Sequence, residues 1–418
     1  MIVDVLKRSL RGASAGEKIM DLPGLVSTLN LDAATSSGQV VTVERSKNVA
    51  TAYRCVNILS DDVAKMPLQT FVARRPGQID RLHPDSRMQN ISWLLEISPN
   101  RWMTPFILKK AVIMWLLNYG AAYLWKPARQ AARREELFLL RSNITSPVFD
   151  KGGNLWYRVD WPGSAPEYIP DVEVLSLLIN SSDGISGQSV ISHARESLGR
   201  QLGAYETQGK FYSQGLNPGG IIWTAGDASK EAREKIRQAY SEAMSGSSNA
   251  YRLAVLDNKI TKFEAITMKP VDAQFLESIA ENDLEIANFF GMPLHKLNMG
   301  KQSYQSNEQQ NLDYLSTTLD PYLVQWEQAS ALRWLSEDEQ NYMYMRFNRD
   351  VLLRTDAKTR AEVLEKRIFS GQITPNEARA IEDASAYDGG DAHYIPANMG
   401  RVATDGSVIT GGGMTNAK

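Results

Sequence analysis

A chain of 418 residues with a formal net charge of −2 has no basic excess with which to grip a polyanion across a broad face, because tight nucleic-acid binding relies on Lys and Arg displacing counterions from phosphates. Cys55 is the only cysteine, which excludes an intrachain disulfide and a thiolate zinc site and suits assembly in a reducing cytoplasm. The first residues, MIVDVLKRSLRG, lack the apolar core and small-residue cleavage site of a secretory signal and read as a packing arm.

Residues 13–48 are rich in Ser, Thr, Gly and Ala, so 1–47 are expected to form a flexible arm, with order beginning near Asn48. Val49, Ala52, Tyr53, Val56, Leu59 and Val63 then recur at helical spacing. Met66-Pro67 stops that helix, and Leu68 to Ala73 reads as a strand. Thr104-Pro105 supplies a cap and a first-turn proline for a second helix ending near Gly120. Its uninterrupted apolar run, Ala111 to Leu117, is far below the ~20 residues that span a bilayer, so a buried helix and no membrane partner are expected. Strand-like runs follow at Ala122–Trp125, Leu137–Leu140, Pro147–Phe149, Leu155–Val159 and Val174–Ile179, with turns such as Lys151-Gly152-Gly153-Asn154 between them.

Ser189 to Gln214 is the next helix, closed by Asn217-Pro218-Gly219-Gly220. A β-α-β-β unit is predicted from Ile221–Thr224, a helix from Ser229 to Met244, and strands Tyr251–Leu256 and Lys262–Thr267. A long helix runs from Asp272 to Phe290 and stops at Gly291-Met292-Pro293. After a polar segment, Leu294 to Asn307, another helix reaches about Leu335 on a stripe of Leu312, Leu315, Leu319, Tyr322, Trp326 and Ala329. Pro321 removes a backbone donor inside that stripe and predicts a kink. Two helices flank Gly371 within 354–382, and the Gly-, Ser- and Thr-rich stretch over 383–418 reads as disordered. The fold class is α+β, mainly helical.

No motif for chemistry is complete. Gly300-Lys301-Gln302-Ser303 lacks the upstream glycine and the hydroxyl after Lys that a phosphate loop requires. Gly184-Ile185-Ser186-Gly187 is one residue short of a hydrolase elbow and reads as a turn. His83, His193, His295 and His393 have no second ligand at metal spacing. No catalytic residue, metal or cofactor is expected.

The helix from Asp272 is more informative. It carries five carboxylates and no Lys or Arg, and Glu277, Glu281, Glu285 and Asn288 return to one face by steps of three and four. Like charges at that spacing cost a few tenths of a kcal/mol per pair. The face is either a plain solvated surface or a carboxylate stripe along a water-filled passage that must not hold a polyanion. The following segment is lightly basic: Lys296 and Lys301 stand among Asn298, Gln302, Ser303, Gln305 and Ser306, where transient contact with phosphates is possible.

The order of these elements resembles the portal proteins of tailed phages, in the branch named for HK97. The resemblance covers roughly residues 48–385. Its most specific stretch is Asn288-Phe289-Phe290-Gly291-Met292-Pro293, followed by Ser303-Tyr304-Gln305-Ser306-Asn307-Glu308-Gln309 and Thr318-Leu319-Asp320-Pro321-Tyr322. Gly120-Ala121-Ala122-Tyr123, Gly215 to Gly220, Arg354-Thr355-Asp356 and Gly371 to Arg379 fall in the same order. The chain departs from the family where Met292-Pro293-Leu294 replaces a more usual Val-Pro-Pro.

The resemblance implies a wing (48–190), a first stem helix (191–216), a clip (217–270) and a second stem helix (271–292). A tunnel loop (293–307), a long kinked helix returning to the wing (308–350) and crown helices (351–382) complete it. It implies a ring of twelve that passes double-stranded DNA during packaging and ejection. Glu277, Glu281, Glu285 and Asn288 would line the channel, and Lys296, Lys301, Gln302 and Ser303 would touch DNA. The implied partners are the large terminase, a head-tail adaptor and the major capsid or scaffold proteins. The implied location is the capsid vertex of the virion, and the host cytoplasm during assembly. The rival readings are a carboxylate-metal nuclease, which needs acidic residues converging at strand ends, and a helical adaptor with no DNA passage.

Overall fold

The computed structural model describes residues 34–75, 78–82, 84, 91–128, 135–213, 220–224, 230, 231, 234, 235, 238, 260–265, 272–299, 307–352, 357–382, 384–393, 401, 402, 408 and 409. The chain forms two compact units, Met1–Arg349 and Asp350–Lys418.

In the first unit, helix α1 (Ala50–Lys65) buries Ala52, Cys55, Val56, Leu59 and Val63, the face anticipated from its periodicity. It packs against helix α2 (Pro105–Tyr119). The hydroxyl of Thr104 caps α2 by accepting from the Ile107 amide at 3.3 Å, and Gly120 ends it at φ +83°. Because α2 is apolar on most sides, it is enclosed beyond its first turn: α1 lies on one flank and strands β3 (Ala121–Trp125) and β4 (Phe138–Leu140) on another.

Strand β3 pairs with β4 and with β8 (Val174–Leu178), and a second sheet is built from β5 (Thr145–Phe149), β6 (Leu155–Val159) and β7 (Glu167–Pro170). Tyr123, Trp125, Phe138, Tyr157, Ile169 and Val174 form one core between these sheets. A third sheet joins β1 (Leu68–Arg75) to β2 (Gln78–Arg81) on one side and to β11 (Met343–Phe347) on the other, in the register Leu68 opposite Phe347. Strands β2, β7 and β11 were not anticipated, and neither was the helix Ile91–Glu96.

The expected flexible arm over 1–47 is corrected at its end. Residues from Ala34 onward are packed on the helix that begins at Arg195. Glu196 accepts from the Ser36 amide and hydroxyl, Glu206 accepts from Gln39, and Arg195 donates to the Ala34 carbonyl. Gly199 leaves room for Thr35, which a β-carbon at that position would strike. The expected helix Ser189–Gln214 is broken at Ala194, so that a short turn, Val190–His193, precedes helix α3 (Arg195–Ser213).

The expected β-α-β-β unit is described at its edges. Strand β9 (Gly220–Thr224) pairs antiparallel with β10 (Ile260–Ala265). The strand expected at Tyr251–Leu256 and most of the helix expected from Ser229 lie outside the described residues.

In the second unit, helices Ala357–Phe369 and Pro375–Ile381 match the pair expected around Gly371. The disordered tail expected over 383–418 is corrected in part. Asn376 gathers residues 387–391: its amide donates to the Tyr387 carbonyl and to Asp391, and its carbonyl accepts from the Tyr387 amide. Arg401–Val402 pairs with Val408–Ile409.

Two buried features of the first unit can be tested. Gly187 lies against Gly120 so closely that a β-carbon would overlap the Gly120 carbonyl. That contact joins the end of α2 to the segment after β8, where Gly120 accepts from the Ile179 amide at 2.8 Å and Ile179 from the Gln188 amide at 2.9 Å. Backbone cannot move aside as a side-chain tip can, so Gly187→Ala is expected to cost roughly 3 kcal/mol in chemical denaturation.

Lys109 is buried on α2 and donates to the Met66 carbonyl. Burial lowers its ammonium to about 8 from an ordinary 10.5. Between those values the unfolded chain holds a proton that the folded chain has released, so this residue's contribution to stability rises with pH. Measured against Lys109→Met, the wild type should gain on the order of 2 kcal/mol between pH 8 and 10.5.

Candidate functional site: an acidic helix pair and the loop that follows

The acidic helix is α4, Asp272–Phe289, and it packs along α3. Its Ile286 and Ala287 are buried together with Phe290, as are Leu198 and Leu202 of α3. These account for only part of the contact, because polar residues hold the two helices together.

Asn282 is buried, and its amide donates to the Ser197 carbonyl at 2.9 Å and to Gln201 Oε1 at 2.6 Å. Its Oδ1 accepts from Arg200 Nε at 3.2 Å. The neighbouring Asp283 accepts from the Thr51 hydroxyl of α1 at 2.6 Å and from Gln201 at 3.3 Å. Every hydrogen-bonding group of Asn282 is therefore engaged, as a buried amide requires.

Glu277, Glu281, Glu285 and Asn288 are all exposed on α4. Glu285 differs from the others, since its carboxylate accepts from Arg200 of α3. The acidic face is thus part-neutralised at its C-terminal end by a cation that α4 itself does not carry. Ser197, Arg200 and Gln201 share one face of α3, but nothing in either helix alone marks them as partners.

After α4 the chain turns at Gly291, φ +60°, and enters a short 3₁₀ turn, Leu294–Leu297. Lys296 is half-buried there. Its ammonium sits 3.7 Å from Asp62 Oδ2 and 4.7 Å from the centre of the Tyr314 ring. Asp62 is buried on α1 and also pairs with Lys65 at 2.9 Å. Arg54, likewise on α1, donates to the Lys296 carbonyl at 3.1 Å. Lys296, expected to touch DNA, is drawn by these contacts toward α1 at the base of the loop. Lys301, Gln302 and Ser303 lie outside the described residues.

Burial and the Lys296 ammonium hold His295 below the usual imidazole range, and burial with the Asp62 carboxylate pushes the Tyr314 phenol up. Burial raises the Cys55 thiol to about 12, which leaves it without thiolate character at neutral pH.

Beyond the loop, helix Asn307–Asp313 passes into a π turn, Tyr314–Leu319, before the α-helix α5, Asp320–Trp334. The Asp320 amide reaches back five residues to the Leu315 carbonyl. Pro321 follows immediately, and the wider turn stands where its ring would otherwise press on the preceding turn. The Thr318 hydroxyl donates to the Gly291 carbonyl at 2.7 Å, tying this turn to the end of α4. The buried residues are Tyr314, Leu315, Leu319, Leu323, Trp326 and Ser330, whereas Leu312 of the expected stripe is exposed. Arg349 bridges Asp320 and Glu327 and fixes α5 beside β11.

Among the described residues, no group of three or more His, Cys, Asp and Glu side chains is placed to share a metal ion. No helix among them is long and apolar enough to cross a membrane.

The fold is shared with solved assemblies. A chain in the neck of a native gene transfer agent particle, computed with C12 symmetry, superposes at a TM-score of 0.52 with 18% identity, over 82% of this chain and 93% of that one. The sequence comparisons go further. The probable portal protein of Streptomyces phage phiC31 is 28% identical over 400 residues, covering 91% of this chain and 84% of its own length. The portal protein of Enterobacteria phage HK97 is 29% identical over 363 residues, covering 84% of each. The family model described as "Phage portal protein" matches residues 50–383. The chain belongs to the phage portal protein family, with the α+β portal fold. That family's role is structural.

The seam between α3 and α4 generates a prediction. Asn282→Leu strands the Ser197 carbonyl, Gln201 and Arg200 without their partner and should cost about 2 kcal/mol. Glu281→Gln, on the exposed face, should stay within about 0.5 kcal/mol of wild type. Urea denaturation of both variants measures the difference.

Proposed function

We propose that copies of this chain close side by side into a ring of twelve around a channel that carries double-stranded DNA into and out of a phage capsid at one vertex. The observation that carries this reading is the family match across residues 50–383. The twelvefold neck in which a relative's fold occurs supports the ring number. Such a ring needs a heterologous contact whose rotation closes.

The channel must pass a polyanion without holding it. Glu277 and Glu281, with Asn288, would face the duplex, and the two carboxylates would repel its phosphates within the roughly 8 Å screening length of physiological salt. Glu285, paired with Arg200, contributes less charge to that wall. Lys301, Gln302 and Ser303 would supply the light contact with phosphates, carried on a loop whose base Lys296 secures.

In this reading residues 48–190 are the wing, α3 and α4 the stem, 217–270 the clip, 293–307 the tunnel loop and 308–350 the long helix, discontinuous before Pro321, with its return to the wing. Residues 351–382 form the crown. The large terminase and a head-tail adaptor would dock on the clip, and capsid or scaffold proteins around the wing. The protein would assemble in the host cytoplasm and remain in the virion. It performs no covalent step and holds no cofactor, and the ATP chemistry of packaging belongs to the terminase.

Solution mass and electron-microscope images of the purified protein test the ring. Twelve copies of a 46.6 kDa chain give about 560 kDa, and a lasting monomer would refute the proposal. Lys301→Glu tests the loop: rings should form normally while DNA packaging or retention falls, and packaging at wild-type yield would remove Lys301 from that role.

A further inference from the structure

Each subunit of a closed ring must offer two different lateral surfaces, one for each neighbour. The first unit presents two features that fit this requirement, an apolar knob and a cleft of mixed polarity, at opposite ends of α2. At its N-terminal end, Trp102, Phe106 and Ile107 are 45%, 41% and 50% exposed. Clustered exposed apolar side chains of this size on a soluble chain mark a contact surface.

The loop that carries them is rigid. Asn100 is buried, donates to the Leu137 carbonyl at 2.9 Å and accepts from the amides of Trp102 and Met103 at 3.1 and 2.9 Å. Trp102 also rests on Phe138, with ring centres 5.9 Å apart, which leaves its other face outward. A knob held in place before it binds loses little side-chain freedom on docking.

Past the C-terminal end of α2, across the Gly120–Ile179 hydrogen bond, lies an open cleft of about 370 Å³. Leu178, Phe289, Phe290, Pro321, Tyr322 and Gln325 line it. It is wide enough for one large aromatic side chain. Gln325 donates to the Leu178 carbonyl at 2.6 Å, which leaves its own oxygen to accept an indole N–H. The cleft too is preformed, since the Thr318–Gly291 hydrogen bond fixes its wall. The 15 residues of α2 separate knob from cleft by about 22 Å, so one chain cannot satisfy both itself.

We propose that Trp102, flanked by Phe106 and Ile107, docks in this cleft on the next copy of the chain. The contact is heterologous and rests on the ring reading given above. It assigns the lateral interface to the two ends of α2. Tryptophan seated in a desolvated pocket is the type of residue that dominates interface energetics.

The test uses the full chain. Trp102→Glu and Thr317→Arg, the latter placing a long charged side chain at the exposed rim of the cleft, are each purified and checked for a wild-type melting transition. Sedimentation then reads assembly. Each variant alone should give no rings, Trp102→Phe should restore them, and a mixture of the two blocked variants should give pairs of chains and nothing larger, because each supplies one intact half. Rings at wild-type yield from either blocked variant, or no pairs in the mixture, would overturn the contact while leaving the ring intact. A wild type that never forms rings would overturn both.

Discussion

The chain depends on one buried amide. Asn282 sits where α3 and α4 cross, with all its polar groups matched by Ser197, Gln201 and Arg200. An apolar seam of Leu and Ile would hold two helices equally well but would let them slide past one another. A buried side chain that needs three partners at fixed positions permits a single register. Through Asp283 and Thr51 the same seam fixes α1, and through Asp62 and Lys296 α1 fixes the base of the loop. The orientation of the exposed carboxylates thus follows from a chain of polar contacts that begins at one asparagine.

Much of the fold could be read from residues whose effects are local. Thr104, Pro105 and Gly120 bound α2 because capping and φ > 0 are properties of one or two positions. The acidic helix runs from Asp272 to Phe289, within one residue of its expected end, since Gly291 and Pro293 stop it. The missed strands share a different cause. The Glu167–Pro170 segment ends in a proline that argues against a strand yet is tolerated at the sheet edge. The only apolar residue in Gln78–Arg81 is Ile79, itself exposed. Met343–Phe347 finds its partner, Leu68–Val72, at the far end of the unit, and no local pattern announces such a pairing.

The site was legible as a pattern of charge and illegible as a set of contacts. Steps of three and four put Glu277, Glu281, Glu285 and Asn288 on one exposed face. That Glu285 would meet Arg200, or that Lys296 would meet Asp62, depends on which helices become neighbours. A lysine in a polar loop is read by default as free. Here Asp62, buried on a remote helix and already paired with Lys65, attracts the Lys296 ammonium as well, because a carboxylate removed from water gains from each cation near it.

The π turn at Tyr314–Leu319 sets the phase of everything after it. An α-helix rotates 100° per residue, so one residue accommodated in a wider turn swings the downstream faces by about a quarter of a circle relative to those upstream. This is why Leu312 points to solvent while Leu323, Trp326 and Ser330 point inward, although a ruler laid along the sequence would align them. The extra residue behaves as a spacer: excising one position between 314 and 319 would bring the two halves into a common phase, and the side chains now seated against β11 would be dialled toward water.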